Sequence, residues 1–281
     1  MAIGIGTPIV ISFPGKTPQW SATATPHDLT LLAQAADRLG YAYLTVSDHI
    51  VVPRKAVAAM GATWFAPFPA LAYIAASTQR IGLCTHILVV PYRHPLVAAR
   101  DIGTLDHLSG GRLILGVGTG HLRAEFRALG IDHDARGAIT DAYLDELRRV
   151  WAGESDYVVA PSPVQPAGPR LWIGGNTPRA LRRAVAVGDG WVPWQIEPGR
   201  LRALIDSHGH PGEVAYPATF DMQGVDGPAH SADACLARLH GLRQSGVTAI
   251  TAGFPSRSLA EFIAQLESFA ADVLPHCESM D

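Results

Sequence analysis

Asp48 and His49 stand next to each other, one serine past the apolar run at 43–46. An imidazole has an ordinary pKa near 6.5 and exchanges protons at neutral pH. Neighbours in an extended segment point to opposite faces, so one of the two faces the mouth of the fold while the other makes a supporting contact. The plainer alternative is that Asp48 caps the following loop and His49 is a satisfied structural histidine. Thr85 and His86 lie in the apolar run at 81–90, where a lone histidine is either packed or functional. The stretch GVGTGH, Gly116 to His121, offers three glycines. Glycine alone lets a backbone lie close against a flat ring or bend freely, although glycines also simply make turns. The spacing is not that of the dinucleotide fingerprint. In GGNTP, Gly174, Gly175, Asn176 and Thr177 precede a helix start, where unpaired amides favour a phosphate; an ordinary turn with an Asn or Thr cap is the alternative. Arg93 and His94, before Pro95, could meet an anionic substrate or cofactor tail, although an arginine near a helix start is usually solvated or paired. His208 and His210 sit between a helix and a strand, on the side of the fold away from the other residues, and so are not read as a metal pair.

Regular elements must carry these residues to one place. Apolar runs at 3–12, 43–46, 81–90, 113–117, 171–173, 191–193, 214–222 and 247–251 read as strands, and Pro217 weakens the seventh. Between them lie helical patterns, of which 95–109 is typical: Leu96, Val97, Ala99, Ile102, Leu105 and Leu108 recur at three- and four-residue spacing until Gly110 and Gly111 stop them. Residues 52–63 have no period and read as a loop over the mouth, and the proline-rich 160–169 as a second loop. Eight strands alternating with eight helices predict a (β/α)8 TIM barrel over one domain, residues 1–281. Working residues in that fold follow the strand C-termini, which is where Asp48, His49, Thr85, His86 and both glycine turns fall.

The composition limits partners. With 48% hydrophobic and 17% charged residues among 281, the chain has a large core. A net charge of -3 gives no basic field for nucleic acid. Three scattered cysteines fit neither a disulfide framework nor a zinc knuckle and point to a reducing cytoplasm. The start of the chain lacks a basic lead and is cut by Gly6, Pro8 and Pro14, so a secretory signal is not expected. No apolar stretch approaches the roughly 20 residues that span a bilayer.

Taken together, VSDH, RIGLCTHILVVPYRHP, TLDHLSGGRLILGVGTG and RLWIGGNTPRALRRAVAVGDGWV resemble the luciferase-like monooxygenase superfamily, and within it the short members that use the deazaflavin coenzyme F420. FMN-dependent relatives share the motifs. The resemblance implies the same barrel, with a flavin-like ring across its C-terminal mouth. It implies a non-proline cis peptide between His86 and Ile87 behind the ring, ring contacts from Asp48, and proton transfer by His49. It further implies coenzyme contacts along Gly118, Thr119 and Gly120 and a phosphate-side loop at Gly174, Gly175, Asn176 and Thr177. In F420-dependent sugar-phosphate dehydrogenases of this superfamily a glutamate follows the GTG turn, and many relatives have tryptophan there. This chain has His121, as an acid or a ring-stacking residue. The implied function is hydride transfer between F420 and a small organic substrate, with a homodimer common in the family. The alternatives are an FMN-dependent monooxygenase and a non-catalytic flavin- or F420-binding barrel.

Overall fold

The computed structural model describes residues 1–277. Eight parallel strands close into a barrel in sequence order: β1 (Ala2–Gly6), β2 (Tyr43–Val46), β3 (Gly82–Val89), β4 (Leu113–Gly118), β5 (Arg170–Gly174), β6 (Gly190–Val192), β7 (Glu213–Thr219) and β8 (Ala249–Gly253), with β8 returning to pair with β1. Between and after them run α1 (Pro26–Arg38), α2 (Val57–Met60), α3 (Pro67–Ser77), α4 (Pro95–Ser109), α5 (Arg123–Ala128), α6 (Arg136–Ala152), α7 (Pro178–Val187), α8 (Pro198–His208), α9 (Ala232–Gln244), α10 (Leu259–Asp272) and α11 (Leu274–Cys277). Alternation thus holds, and the extra helices are short insertions in the mouth loops and at the end of the described chain. Among the described residues no helix is long and apolar enough to cross a membrane.

Strand side chains divide between two cores. Tyr43, Cys84, Ile114, Trp172, Val192, Ala215 and Ala249 fill the barrel interior, while Ile3, Ile5, Leu44, Val46 and Leu83 pack outward against the helices. Helix starts follow local chemistry: Thr25 and Asp28 form a reciprocal capping box on α1, and Thr177 caps α7 ahead of Pro178.

Two expected strands are shorter than their apolar runs. β1 ends at Gly6 rather than continuing to residue 12, because Pro8 has no amide for the ladder; the chain makes a 3-10 turn over Pro8–Val10. Ile11 then pairs antiparallel with Trp64 of the mouth loop. β7 ends at Thr219 and tolerates Pro217, since its pairing with β6 stops at Val214.

The block TLDHLSGGR is structural. Asp106 is fully buried on α4 and accepts from the Val164 amide (2.8 Å), the Gln165 amide (3.2 Å) and the Gln165 side chain (2.7 Å), holding the 160–169 loop on the barrel. Arg112 donates to the carbonyls of Ala75, Thr78, Ile81 and Ser109. It thereby satisfies the orphan carbonyls at the end of α3.

Candidate active site

Asp48 and His49 divide as alternation requires. Asp48 turns toward β3, where Arg93 grips it with both terminal nitrogens, at 2.6 and 2.8 Å, and the Val89 amide donates at 2.9 Å. Burial by itself would lower the Arg93 pKa, but the adjoining carboxylate outweighs it and holds the guanidinium protonated. Arg93, read as a contact for an anionic ligand, is therefore committed to Asp48.

His49 reaches across to α5. Its Nδ1 lies 2.8 Å from Oε2 of Glu125, its ring meets the edge of Trp64 at a centroid distance of 4.5 Å, and His121 stands 5.8 Å away. Glu125 is fully buried, and burial alone would raise its pKa. Hydrogen bonds from His49, the Ile50 amide and the Tyr92 hydroxyl prevail and hold it below the usual carboxylate range. Trp64 is in turn edge-on to Phe13, which makes a continuous aromatic wall from the β1 exit to His121. Glu125, Tyr92 and Trp64 were not singled out from sequence. The one signal was a carboxylate beside Phe126 in a helical stretch, four residues past His121.

Thr85 and His86, expected after the third strand, lie within β3, because pairing with β4 resumes past them: the register shifts between Thr85 and Leu88, and the His86–Ile87 peptide there is cis, as the resemblance implied. Thr85 is fully buried, its hydroxyl donating to the Gly116 carbonyl at 2.7 Å, and Ser47 donates to the His86 carbonyl at 3.0 Å. The Ile87 side chain occupies the space that a Cβ on Gly118 or Gly174 would need, and the Thr85 carbonyl oxygen that of Gly116. Glycine at these three positions thus admits the bulge itself. His86 turns toward the barrel axis, with Nε2 3.4 Å from Oγ1 of Thr251, which is 3.1 Å from the Tyr43 hydroxyl. Burial pushes its pKa down to about 4, so the ring is neutral at physiological pH.

After β4, Thr119 is half-buried, and Gly120 adopts φ +72°, where a side chain would also strike Val89 and Phe126. His121 is exposed at this turn. Crowding by the protein, then the neighbouring His49, lower its pKa from the ordinary value. After β5, Gly175 has φ +136° and its carbonyl accepts from the Trp191 indole at 2.8 Å. Asn176 exchanges two hydrogen bonds with the backbone of Trp194, at 2.6 and 2.7 Å, and Thr177 accepts from the Ala180 amide at 3.2 Å. The contacts therefore join His49, His121, Glu125 and Trp64 in one cluster and Ile87, Gly118 and Gly174 in another. Asn176 and Thr177 are tied to the β6 exit and to α7. Two buried polar atoms at the β1 exit and mouth loop, Oγ1 of Thr7 and Nε1 of Trp64, have no hydrogen-bond partner among the described residues. Together with the half-buried Ile87 and exposed Trp194, they fit a mouth shaped for a flat, partly polar molecule.

An uncharacterised protein of Mycobacterium tuberculosis is 27% identical over 277 residues, covering 86% of this chain and 93% of that one. Three solved structures share the fold. The monooxygenase RslO1 of Streptomyces bottropensis has a TM-score of 0.82 at 21% identity, covering 98% of this chain and 99% of its own. The coenzyme F420-dependent tetrahydromethanopterin reductase of Methanopyrus kandleri has 0.73 at 17%, with coverage of 98% and 99%. The oxygenating component of 3,6-diketocamphane monooxygenase of Pseudomonas putida, in complex with FMN, has 0.76 at 15%, with coverage of 98% and 98%. The profile of the luciferase-like monooxygenases matches residues 1–213, and with most of its barrel inside that match the chain belongs to the luciferase-like monooxygenase family.

Proposed function

We propose that this protein is an F420-dependent oxidoreductase that moves a hydride between the deazaflavin and a small, uncharged organic substrate. The observation that carries the choice of coenzyme is the charge of the rim. Arg93, Arg123 and Arg179 are each paired with a carboxylate, Asp48, Asp134 and Asp141. Lys16, Arg54 and Lys55 are exposed on the β1 and β2 exit loops, with no carboxylate partner among the described residues, and Ile11 and Trp64 bring those loops side by side. That basic edge makes the potential of the mouth more positive, which suits the several acidic groups of F420 better than the single phosphate of FMN.

When bound, the coenzyme supplies the hydride chemistry. The residues of this chain supply the rest. Ile87 backs the ring, with His86 beneath it and Asp48 fixing the β2 and β3 exits. Gly118, Thr119 and Gly120 line one edge, and Gly174, Gly175, Asn176 and Thr177 hold the phosphate side. His49 moves the accompanying proton through Nε2. His121, beside it and exposed, is the second proton-active group or a stacking surface. Phe13 and Trp64 form an apolar wall next to His49, which supports an uncharged substrate.

The test is titration of purified protein with each coenzyme. Tight binding of F420, weakened by R54A and K55A together, is the expected result. Tight binding of FMN with none of F420 reverses the choice in favour of an FMN-dependent monooxygenase. Bound F420 that no donor reduces marks a non-catalytic barrel.

A further inference from the structure

Both oxygens of Glu125 are used, and for different purposes. Oε1 accepts from the amides of Ile50 (2.5 Å) and Val51 (3.2 Å), the two residues that lead into the mouth loop. Oε2 accepts from Nδ1 of His49 and from the Tyr92 hydroxyl, each at 2.8 Å. An ionised carboxylate has no hydrogen to give, so the hydrogen between Glu125 and His49 belongs to Nδ1. In the neutral ring, Nε2 then keeps its lone pair, and no described residue hydrogen-bonds to it. We infer that Glu125 is the positioning residue of His49: it fixes the Nδ1–H tautomer, aims Nε2 into the mouth, and anchors the loop that closes beside it.

Anchoring the loop needs only Oε1; the contact through Oε2 is what sets the histidine. A glutamine at 125 separates the two roles. Its carbonyl must stay on the two amides, which can only donate, so its NH2 group replaces Oε2. That group donates to Nδ1 of His49 and to the Tyr92 oxygen, and the ring hydrogen is driven to Nε2. The loop stays stapled while the lone pair facing the mouth is lost.

This inference rests on the proposed role of His49, but it is tested without coenzyme or substrate. In protein labelled with 15N-histidine, two-bond correlation spectra assign the hydrogen of each neutral ring. The wild type is expected to carry it on Nδ1 of His49 and E125Q on Nε2, with the thermal midpoint little changed. Nε2 should also react with diethyl pyrocarbonate at least about 10-fold more slowly in E125Q, a modest loss beside the about 10⁴-fold fall in kcat when an equivalent tautomer is reversed in a serine protease. His107, exposed in the last turn of α4 at the far end of the barrel, is the internal reference and should react at its wild-type rate. A wild-type His49 with its hydrogen on Nε2, or an E125Q protein with tautomer and reactivity unaltered, overturns the inference. The wild-type spectrum decides even if E125Q does not fold. Failure of the wild type to bind either coenzyme refutes the proposed function and leaves this result standing.

Discussion

Replacing Gly116 with alanine tests whether the glycines at the β4 exit exist to admit neighbouring backbone. A methyl group at 116 would lie well inside 3.0 Å of the Thr85 carbonyl oxygen, which belongs to the β3 ladder. Thr85 has little room to move, being fully buried and hydrogen-bonded to the Gly116 carbonyl. Relief requires β3 to shift against β4, and overpacking of this kind costs about 1–3 kcal/mol. Loss of the Thr85 hydrogen bond adds about 1 kcal/mol. Gly118→Ala differs, because its methyl group meets chiefly Cδ1 of Ile87, the free end of a side chain that can change rotamer at about 1 kcal/mol. G116A should therefore be destabilised by about 2–4 kcal/mol, a fall in Tm of roughly 4–16 °C for a chain of this size. Urea and thermal unfolding followed by fluorescence of the buried Trp172 and Trp191 measure both variants. Adding I87A should relieve G118A but not G116A. A G116A protein that melts with the wild type, or that I87A rescues as fully as G118A, would refute the close-approach argument.

Three further outcomes are expected. H49A should bind coenzyme with nearly wild-type affinity but turn over about 10²-fold or more slowly, and unchanged turnover removes His49 from proton transfer. R93A leaves the buried Asp48 with a single amide donor among the described residues and should cost about 3–5 kcal/mol, whereas R123A, from a pair 61% and 70% exposed, should leave the urea midpoint at the wild-type value; equal urea midpoints for the two variants would contradict this. His86 has a pKa of about 4 in the folded chain. Between pH of about 6.5 and 4 the unfolded chain takes up a proton at this residue that the folded chain does not. Stability contributed by a neutral His86 is thus complete above about pH 6.5 and falls with pH by up to about 1.4 kcal/mol per unit. H86Q should remove that part of the slope, and identical slopes for H86Q and wild type would show that His86 is not held neutral by burial.

Some of the candidate site was legible because it depends on neighbours in the chain. Asp48 and His49 had to face apart, and they do, although only the fold decided that Asp48 would be held by Arg93 and that His49 would reach Glu125. The glycines at 116, 118 and 174 were legible as a place of close approach, but not what approaches. Ile87 and the Thr85 carbonyl come from another strand, through a register shift that composition does not signal. Arg93, weighed as a contact for an anionic ligand, is neutralised by a carboxylate 45 residues away, and Arg123 and Arg179 by carboxylates 11 and 38 residues away.

The sequence by itself determined the alternation of strand and helix, the helix start after Thr177, and the placement of Asp48 and His49 after β2 and of the glycine turns at the ends of β4 and β5. Period, caps and prolines act over a few residues, and a parallel barrel turns their order directly into position. Only the tertiary structure decided the aromatic wall from Phe13 to His121 and the carboxylate behind His49. Each of these depends on contacts between segments whose separation in the chain carries no local pattern. Glu125 lies 76 residues from His49, yet it is the group that determines which nitrogen of that histidine faces the mouth.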